Sequence, residues 1–348
     1  MVASVSLANF RSYARLELPL RPGLVLAVGP NGAGKTNLLE SLHVGTQGFS
    51  PRTRSDAELI RFGQETARIR LAGARGGADV RIDVSLGGSE GKRAEIDGAR
   101  LRAAEQLRSE SATLVFTPDR LAVVKGGPAV RRAYFDRSTG RLFPSRSPIS
   151  TDYAAVLAQR NAALKRADRS ALRPWTEQLA ALGTALTEAR AETVALLDPL
   201  FARATEALGL AAGRLSYEGD PPTVESLEGR LDRDLERGWT GLGPHLHDVA
   251  IRSADRDLRV FGSQGEQRTA VLGLLLAESA LIEERRGDPP LLLLDDVLSE
   301  LDPARRHTLV DLVRPRGQTL ITATTADTLP GDPDQLVEVS PGEVRWSG

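Results

Sequence analysis

Near the N-terminus, apolar and polar residues alternate. Val5 and Leu7, then Leu16, Leu18 and Leu20, recur every second position, the period of a strand with one wet face. Leu24–Val28 is a continuous apolar run that enters a glycine-rich turn; it predicts a strand buried on both faces, with a helix over Thr36–Val44 directly after it. Ile69 and Leu71, then Val80, Ile82, Val84 and Leu86, alternate around Gly76-Gly77 and predict a β-meander. Leu114–Phe116 reads as a further strand stopped by Pro118. From Tyr153 the period changes. Leu172, Trp175, Leu179, Leu182, Leu186, Ala189, Thr193, Leu196 and Leu200 recur at spacings of three and four, which predicts one apolar stripe on a helix started by Pro174. Tyr153, Val156, Leu157 and Leu164 supply an antiparallel partner. After a Pro- and Gly-rich linker at Gly219–Pro222, the pattern gives a strand at Leu258–Phe261, a long helix from Gln264 to Arg286, a buried strand at Leu291–Leu294, a helix over Ala304–Val313 and a strand at Thr319–Ala323. This late α/β alternation implies a parallel sheet completed by both ends of the chain.

At 348 residues the chain exceeds one ordinary core, and two lobes are expected. There is no cysteine, so disulfides and thiolate metal sites are excluded, and a reducing cytoplasm fits. Met1–Tyr13 lacks the apolar centre of a signal peptide, and the best apolar runs (Ala270–Ala277 and Leu291–Leu294) fall far short of the roughly 20 residues of a membrane span. The net charge is −1, yet the segment Arg120–Arg173 holds twelve Lys or Arg against three acids, a local +9. Such a concentration reads either as a solvated basic face or as a phosphate-binding surface, with Lys125, Arg131 and Arg132 among its residues. His245 and His247 give only two metal donors with no third nearby, the pattern of a surface loop.

Gly29-Pro30-Asn31-Gly32-Ala33-Gly34-Lys35-Thr36 is a complete G-x-x-x-x-G-K-T, followed by Asn37. Its glycines let the backbone wrap a phosphate, Lys35 reaches the β- and γ-phosphates, and the Thr36 hydroxyl is offered to Mg²⁺. One of only four lysines lies here. Leu291-Leu292-Leu293-Leu294-Asp295-Asp296 has the form of a Walker B strand: Asp295 is expected to hold Mg²⁺, and Asp296 to orient and deprotonate the attacking water. Ser263-Gln264-Gly265-Glu266 opens the long helix. It reads either as a plain capping box or as the ABC signature, and its place between the P-loop and the acidic strand favours the signature. Ser299-Glu300-Leu301-Asp302 stands where ABC proteins carry the D-loop, with Asp302 as its acid.

Several further stretches resemble the RecF family of ABC/SMC-type ATPases: Asn9-Phe10-Arg11-Ser12-Tyr13, Glu58-Leu59-Ile60-Arg61-Phe62-Gly63, Phe116-Thr117-Pro118-Asp119, and Val124-Lys125-Gly126 with Pro128, Arg131-Arg132 and Phe135-Asp136. The resemblance runs from end to end. It implies an α/β fold with a P-loop NTPase lobe of the ABC-ATPase/SMC-head type, built on a mixed sheet, and an inserted helical second lobe. The lobes are expected at 1–118 with 210–348, and at 119–209. It also implies ATP and Mg²⁺ as cofactors, Arg11 beside the nucleotide, a signature that acts on ATP held by a second copy in an ATP-dependent homodimer, and DNA as the substrate. RecR, and indirectly RecO and RecA, are the implied partners. No glutamine marks an ABC Q-loop and no histidine a switch; Thr322, Thr324 or Thr325 occupies that neighbourhood, so slow turnover is implied. An ABC transporter subunit should carry that histidine, and an SMC tether needs hundreds of heptad residues, so a RecF-like DNA-binding ATPase is the reading adopted.

Overall fold

The computed structural model of the protein describes residues 1–88 and 91–346. They divide into two compact units, Met1–Arg120 with Ile282–Gly348, and Leu121–Leu281.

The first unit opens with β1 (Val2–Phe10), β2 (Tyr13–Pro19) and β3 (Leu24–Val28), then α1 (Lys35–Gln47). β4 (Thr66–Arg75), β5 (Ala78–Gly87), β6 (Arg93–Ile96) and β7 (Ala99–Arg100) follow, then a single turn α2 (Leu107–Glu110) and β8 (Thr113–Phe116). The antiparallel sheet runs β2-β1-β4-β5-β6-β7. Its alternation sends Val5, Leu7, Ile69, Leu71, Val84 and Leu86 to the core, with Leu7 opposite both Leu16 and Ile69. Period-2 side chains of an antiparallel sheet require that split between a dry face and a wet one.

The second unit supplies α3 (Ala122–Lys125), α4 (Pro128–Leu142), α5 (Ile149–Lys165) and the 39-residue α6 (Arg169–Ala207). β9 (Gly213–Glu218), α7 (Val224–Glu228), α8 (Leu231–Arg237), β10 (Asp248–Ser253), β11 (Arg256–Asp257) and α9 (Leu258–Phe261) come next, before α10 (Gln264–Arg286) carries the chain back to the first unit. There β12 (Leu291–Leu294), α11 (Pro303–Val313), β13 (Thr319–Ala323), β14 (Gln335–Ser340) and β15 (Glu343–Trp346) complete a second sheet, β15-β14-β3-β13-β12-β8. Five of its strands are parallel and the edge strand β15 is antiparallel, so the sheet is mixed. β3, β12 and β13 are buried along their whole length, as strands covered on both faces must be. α1 lies between the two sheets with Leu38, Leu39 and Leu42 in one apolar core. The N-terminal sheet is stitched to the late strands by two buried glutamines. Gln318 bonds both backbone groups of Val2, and Gln335 bonds Arg21 N–H and Pro19 C=O.

Three local expectations are corrected. Leu258–Phe261 is a helical turn, because the Asp257 side chain caps it through Arg259 N–H. α6 is started by Asp168, which accepts from Ala171 N–H; Pro174 falls inside the helix, where it lacks the N–H for the carbonyl four residues back. Residues 210–281 lie in the second compact unit, whereas the pattern had placed them with the first. Their strand β9 packs along α6 and pairs with β10, so the segment is built on the helix before it.

The basic segment also differs from a free cationic face. Arg131 is buried, and its guanidinium is clasped by Asp248 at 2.7 Å with further bonds to Val124 and Gly126 carbonyls. Arg132 is half-buried and donates to the His247 carbonyl at 2.7 Å. Arg160, fully buried, meets Asp234 and Thr240, and Arg141 meets the buried Glu278 at 2.6 Å. Arg146, Arg169 and Arg173 pair with Glu192, Asp232 and Glu177. The acids come almost entirely from later sequence, so folding offsets much of the local +9 and leaves Lys125, Lys165 and Arg166 exposed. The two histidines are interior partners rather than a metal pair: His245 bonds Tyr153 and the Thr240 carbonyl, and His247 bonds Tyr217. Among the described residues no helix is long and apolar enough to cross a membrane.

Removing one member of a buried ion pair strands the other charge, which costs about 3–5 kcal/mol. Arg131→Ala is therefore expected to lower unfolding free energy by about 3 kcal/mol in urea denaturation, whereas Lys125→Ala, at an exposed position, changes it by less than about 0.5 kcal/mol. Equal effects of the two substitutions would show that Arg131 is not structural.

Candidate nucleotide site

β3 ends at Val28 and the chain turns through Gly29–Gly34 into α1. Gly32 and Gly34 adopt φ of 81° and 113°, a region closed to most side chains. A Cβ at Gly34 would lie 3.0 Å from both Ser12 Oγ and Tyr13 Oη, so the loop is pressed against the β1–β2 turn. The turn of Asn9–Tyr13 is its support. Tyr13, wholly buried, donates its phenol to the Gly34 carbonyl at 3.0 Å, and burial pushes the phenol's pKa far up, so it stays a donor. Ser12 accepts from the Asn37 amide at 3.0 Å. Arg11 makes a bidentate pair with Glu40, a fully buried carboxylate on α1 that also holds Arg52 and Ser50. The same turn binds the Glu58–Gly63 stretch, through Arg11 N–H to Leu59 C=O and Arg61 N–H to Asn9 C=O. Two motifs far apart in sequence are thus one hydrogen-bonded platform under the P-loop.

α1 starts at Gly34 without a side-chain cap, so its first N–H groups face the loop's hollow unopposed by any capping oxygen. Pro30, Asn31 and Gly32 are exposed, while Ala33, Gly34 and Lys35 are buried. Lys35 folds its ammonium back onto the carbonyls of Gly29 at 2.6 Å and Pro30 at 3.0 Å. Burial lowers its pKa, and the Asp296 and Asp295 charges oppose that. A buried ammonium, an uncapped helix start and a glycine loop together fit a polyphosphate. Beside them, a cleft of about 820 Å³ is lined by Arg11, Ser12, Asn37, Arg52 and the fully exposed Phe62. A larger hollow of about 960 Å³ lies at the other ends of the parallel strands, by Gly23, Pro289 and Gln318, away from this chemistry.

The acids arrive from β12. Asp295 is buried and accepts from the Thr36 hydroxyl at 3.0 and 3.1 Å and from the Thr322 hydroxyl at 2.7 Å. Burial raises the Asp295 pKa, and the two hydroxyl donors pull it back. Thr36 and Asp295 form an oxygen donor set suited to a hard divalent cation such as Mg²⁺. Asp296 follows at φ 49°, ψ 28°, left-handed for a residue with a side chain, at a cost of about 1–2 kcal/mol. Its N–H donates to Thr322 Oγ at 2.9 Å and its C=O accepts from Ser299. Asp302 is the N-cap of α11, accepting from Arg305 N–H, so its acid secures the turn after the strand.

Ser263 and Glu266 belong to the other compact unit. Ser263 Oγ accepts from Glu266 N–H at 3.2 Å, and Glu266 accepts from Ser263 N–H at 2.7 Å, a reciprocal capping box. Ser263, Gln264 and Gly265 are nevertheless exposed, and a Cβ at Gly265 would meet nothing within 4 Å. The pattern named Arg11 but missed its partner Glu40, with Arg52 and Ser50. Its signal was a lone acid within Leu38-Leu39-Glu40-Ser41-Leu42, which a helix covered all round must neutralise from inside.

The family model described as RecF/RecN/SMC N terminal domain matches residues 1–345. The DNA replication and repair protein RecF of Heliobacterium modesticaldum is 35% identical over 96% of this chain and 95% of its own. That of Symbiobacterium thermophilum is 37% identical over 94% and 92%. The chain belongs to the RecF family. A solved RecF–ATP structure, described as a recombination mediator protein of the RecFOR pathway, superposes with a TM-score of 0.87 at 27% identity, covering 100% of this chain and 97% of that one. The RecF resemblance and the ABC/SMC-type α/β fold expected from the motifs hold, and the P-loop described above is an ATP-binding fold of that family.

Alanine at Gly34 meets both a forbidden φ and a close neighbour, whereas alanine at Gly265 enters open space on a helix. Gly34→Ala is expected to lower the nucleotide-free melting temperature, and Gly265→Ala to leave it unchanged or raise it slightly, a helical Gly→Ala change being worth up to about 1 kcal/mol. Thermal melts followed by circular dichroism decide this, and a Gly34→Ala protein as stable as wild type would contradict the strained loop.

Proposed function

We propose that this protein is an ATP-dependent DNA-binding clamp of recombinational repair, which dimerises on ATP and hydrolyses it slowly as a switch. The observation that carries the reading is the joining of P-loop and acidic strand through the 3.0 Å bond from Thr36 to Asp295, in a chain of the RecF family. The cleft at Asn37, Arg11 and Phe62 adjoins the P-loop and is the place for the nucleoside. Gly29–Thr36 would hold the phosphates, and Thr36 with Asp295 would hold Mg²⁺, whose chemistry is to neutralise phosphate charge. Asp296, half-buried beside them, would orient and deprotonate the attacking water.

The exposed Ser263-Gln264-Gly265 start of α10 has no nucleotide of its own, since the P-loop already supplies one phosphate site. Its capping box leaves the helix end outward, free to meet the phosphate of ATP held by a second copy. Asp302, at the turn after Asp296, would couple the two ATP sites of that dimer in this reading. Sedimentation tests it directly. Wild type should be monomeric without nucleotide and dimeric with ATP and Mg²⁺. Asp296→Asn should bind ATP, stay dimeric and lose turnover by at least about 100-fold, in the range for removal of a general base. Ser263→Arg should bind ATP and remain a monomer. Lys35→Ala should lose binding itself. A Ser263→Arg protein that dimerises normally would remove the signature from the mechanism.

DNA contact is assigned to cations that folding leaves exposed, Lys125, Lys165 and Arg166, because Arg131 and Arg132 are engaged within the second unit. These residues recognise phosphate and carry no base readout, so little sequence preference is expected. RecR, and through it RecO and RecA, are the proposed protein partners, and the place of the solved RecF–ATP relative in a RecFOR pathway supports that reading. Each phosphate contact contributes about −0.9 to the slope of log K against log salt. Lys125→Ala/Lys165→Ala/Arg166→Ala should therefore bind duplex DNA in ATP with a visibly shallower slope than wild type. An unchanged slope places the DNA elsewhere.

A further inference from the structure

Thr322 lies on β13, the strand between the P-loop strand β3 and the acidic strand β12, and pairs in register with Ala27. Its side chain is fully buried. A hydroxyl has one proton to give and two lone pairs to receive. Here the proton goes to Asp295 Oδ1 at 2.7 Å, and a lone pair takes the Asp296 N–H at 2.9 Å. The β12 ladder pairs Leu294 with Ile321 and no later residue, so it offers Asp296 no strand partner. A buried N–H without an acceptor is costly, and this one belongs to a residue already held in the left-handed region. The single oxygen of Thr322 therefore fixes the side chain of one acid and the backbone of the next.

We propose that Thr322 is a positioning residue for hydrolysis, its hydroxyl locking the Asp295 carboxylate and the Asp296 backbone into one rigid pair. The proposal rests on the ATPase reading above and goes beyond it by making the spacing of the two acids depend on a strand that carries neither. Thr36 reaches Asp295 from the P-loop side and does not touch Asp296 N–H, so it cannot replace Thr322 in this link.

Two substitutions separate the hydroxyl from the shape of the side chain. Thr322→Val keeps the shape and loses both hydrogen bonds; Thr322→Ser keeps both bonds and loses one methyl. Binding of a fluorescent ATP analogue, N-methylanthraniloyl-ATP, is measured in EDTA and across a Mg²⁺ series, beside steady-state ATPase and a thermal melt. In EDTA the Thr322→Val protein should bind the analogue as wild type does. The Mg²⁺ concentration giving half-maximal tightening should rise about tenfold, the worth of one hydrogen bond to a charged group. kcat should fall at least about tenfold while KM for ATP moves less than about threefold, and Thr322→Ser should stay within about threefold of wild type in each. Wild-type Mg²⁺ dependence and kcat in Thr322→Val would overturn the proposal. So would a Thr322→Ser protein as impaired as Thr322→Val, since that assigns the effect to packing of the methyl. If Thr322→Val is too unstable to assay, Thr322→Ala, which also lacks the hydroxyl, takes its place against Thr322→Ser with the same expected and overturning outcomes. If wild type itself fails to bind the analogue, the ATP-binding reading fails, and that result is distinct from any difference among the variants.

Discussion

Two hydroxyls, from Thr36 and Thr322, converge on the carboxylate of Asp295. That convergence requires β3, β13 and β12 to lie side by side in register, and α1 to start where the P-loop leaves it. Burial alone would favour a protonated, uncharged Asp295; the two donors are what make a carboxylate tolerable there. The strands can be that dry because α1 and the antiparallel sheet cover them, and the sheet is tied to them by Gln318 and Gln335. The charge chemistry of the site thus depends on an apolar core assembled from both ends of the chain.

The same logic runs through the N-terminal turn. Arg11, Ser12 and Tyr13 each bond a different part of the P-loop or its helix: Glu40, Asn37 and the Gly34 carbonyl. A glycine loop is soft, and three anchors from one rigid turn remove much of its freedom before any ligand arrives. Preorganisation of this kind reduces the ordering cost of binding. Arg11 occupies the cleft wall while its guanidinium is bound to Glu40, so its charge is already partly answered in the nucleotide-free protein.

The second unit shows how a strong sequence signal changes meaning on folding. A net +9 between Arg120 and Arg173 looks like an electrostatic surface, yet Arg131, Arg141 and Arg160 are buried or nearly so and answer Asp248, Glu278 and Asp234. Arginine suits this role because its planar fork satisfies carboxylates and carbonyls together. The signature helix gives the converse case. Its Ser263–Glu266 capping box is the bland reading realised in full, and it leaves the serine exposed. One local structure therefore caps the helix and still leaves its serine outward, so the capping box is compatible with the proposed signature role.

Periodicity and spacing by themselves determined the strands at Leu24–Val28, Leu291–Leu294 and Thr319–Ala323, the P-loop and the acidic pair, and resemblance of short motifs gave the family, because each depends on residues adjacent in the chain. They also gave the long α6 and α10, whose stripes repeat over many turns. What they left open is what depends on partners distant in sequence. Residues 210–281 looked like part of the nucleotide lobe until β9 lay along α6, while Leu258–Phe261 is the exception, a helical turn set by a cap at the adjacent Asp257. Arg131 carries its partner 117 residues away, and Glu40 takes arginines from two different loops. Thr322 was visible only as one of three threonines near a missing histidine; its neighbours in the sheet chose it, since there one hydroxyl reaches both acids. A charge or hydroxyl in sequence has a type but no partner, and for buried polar groups the partner decides the function.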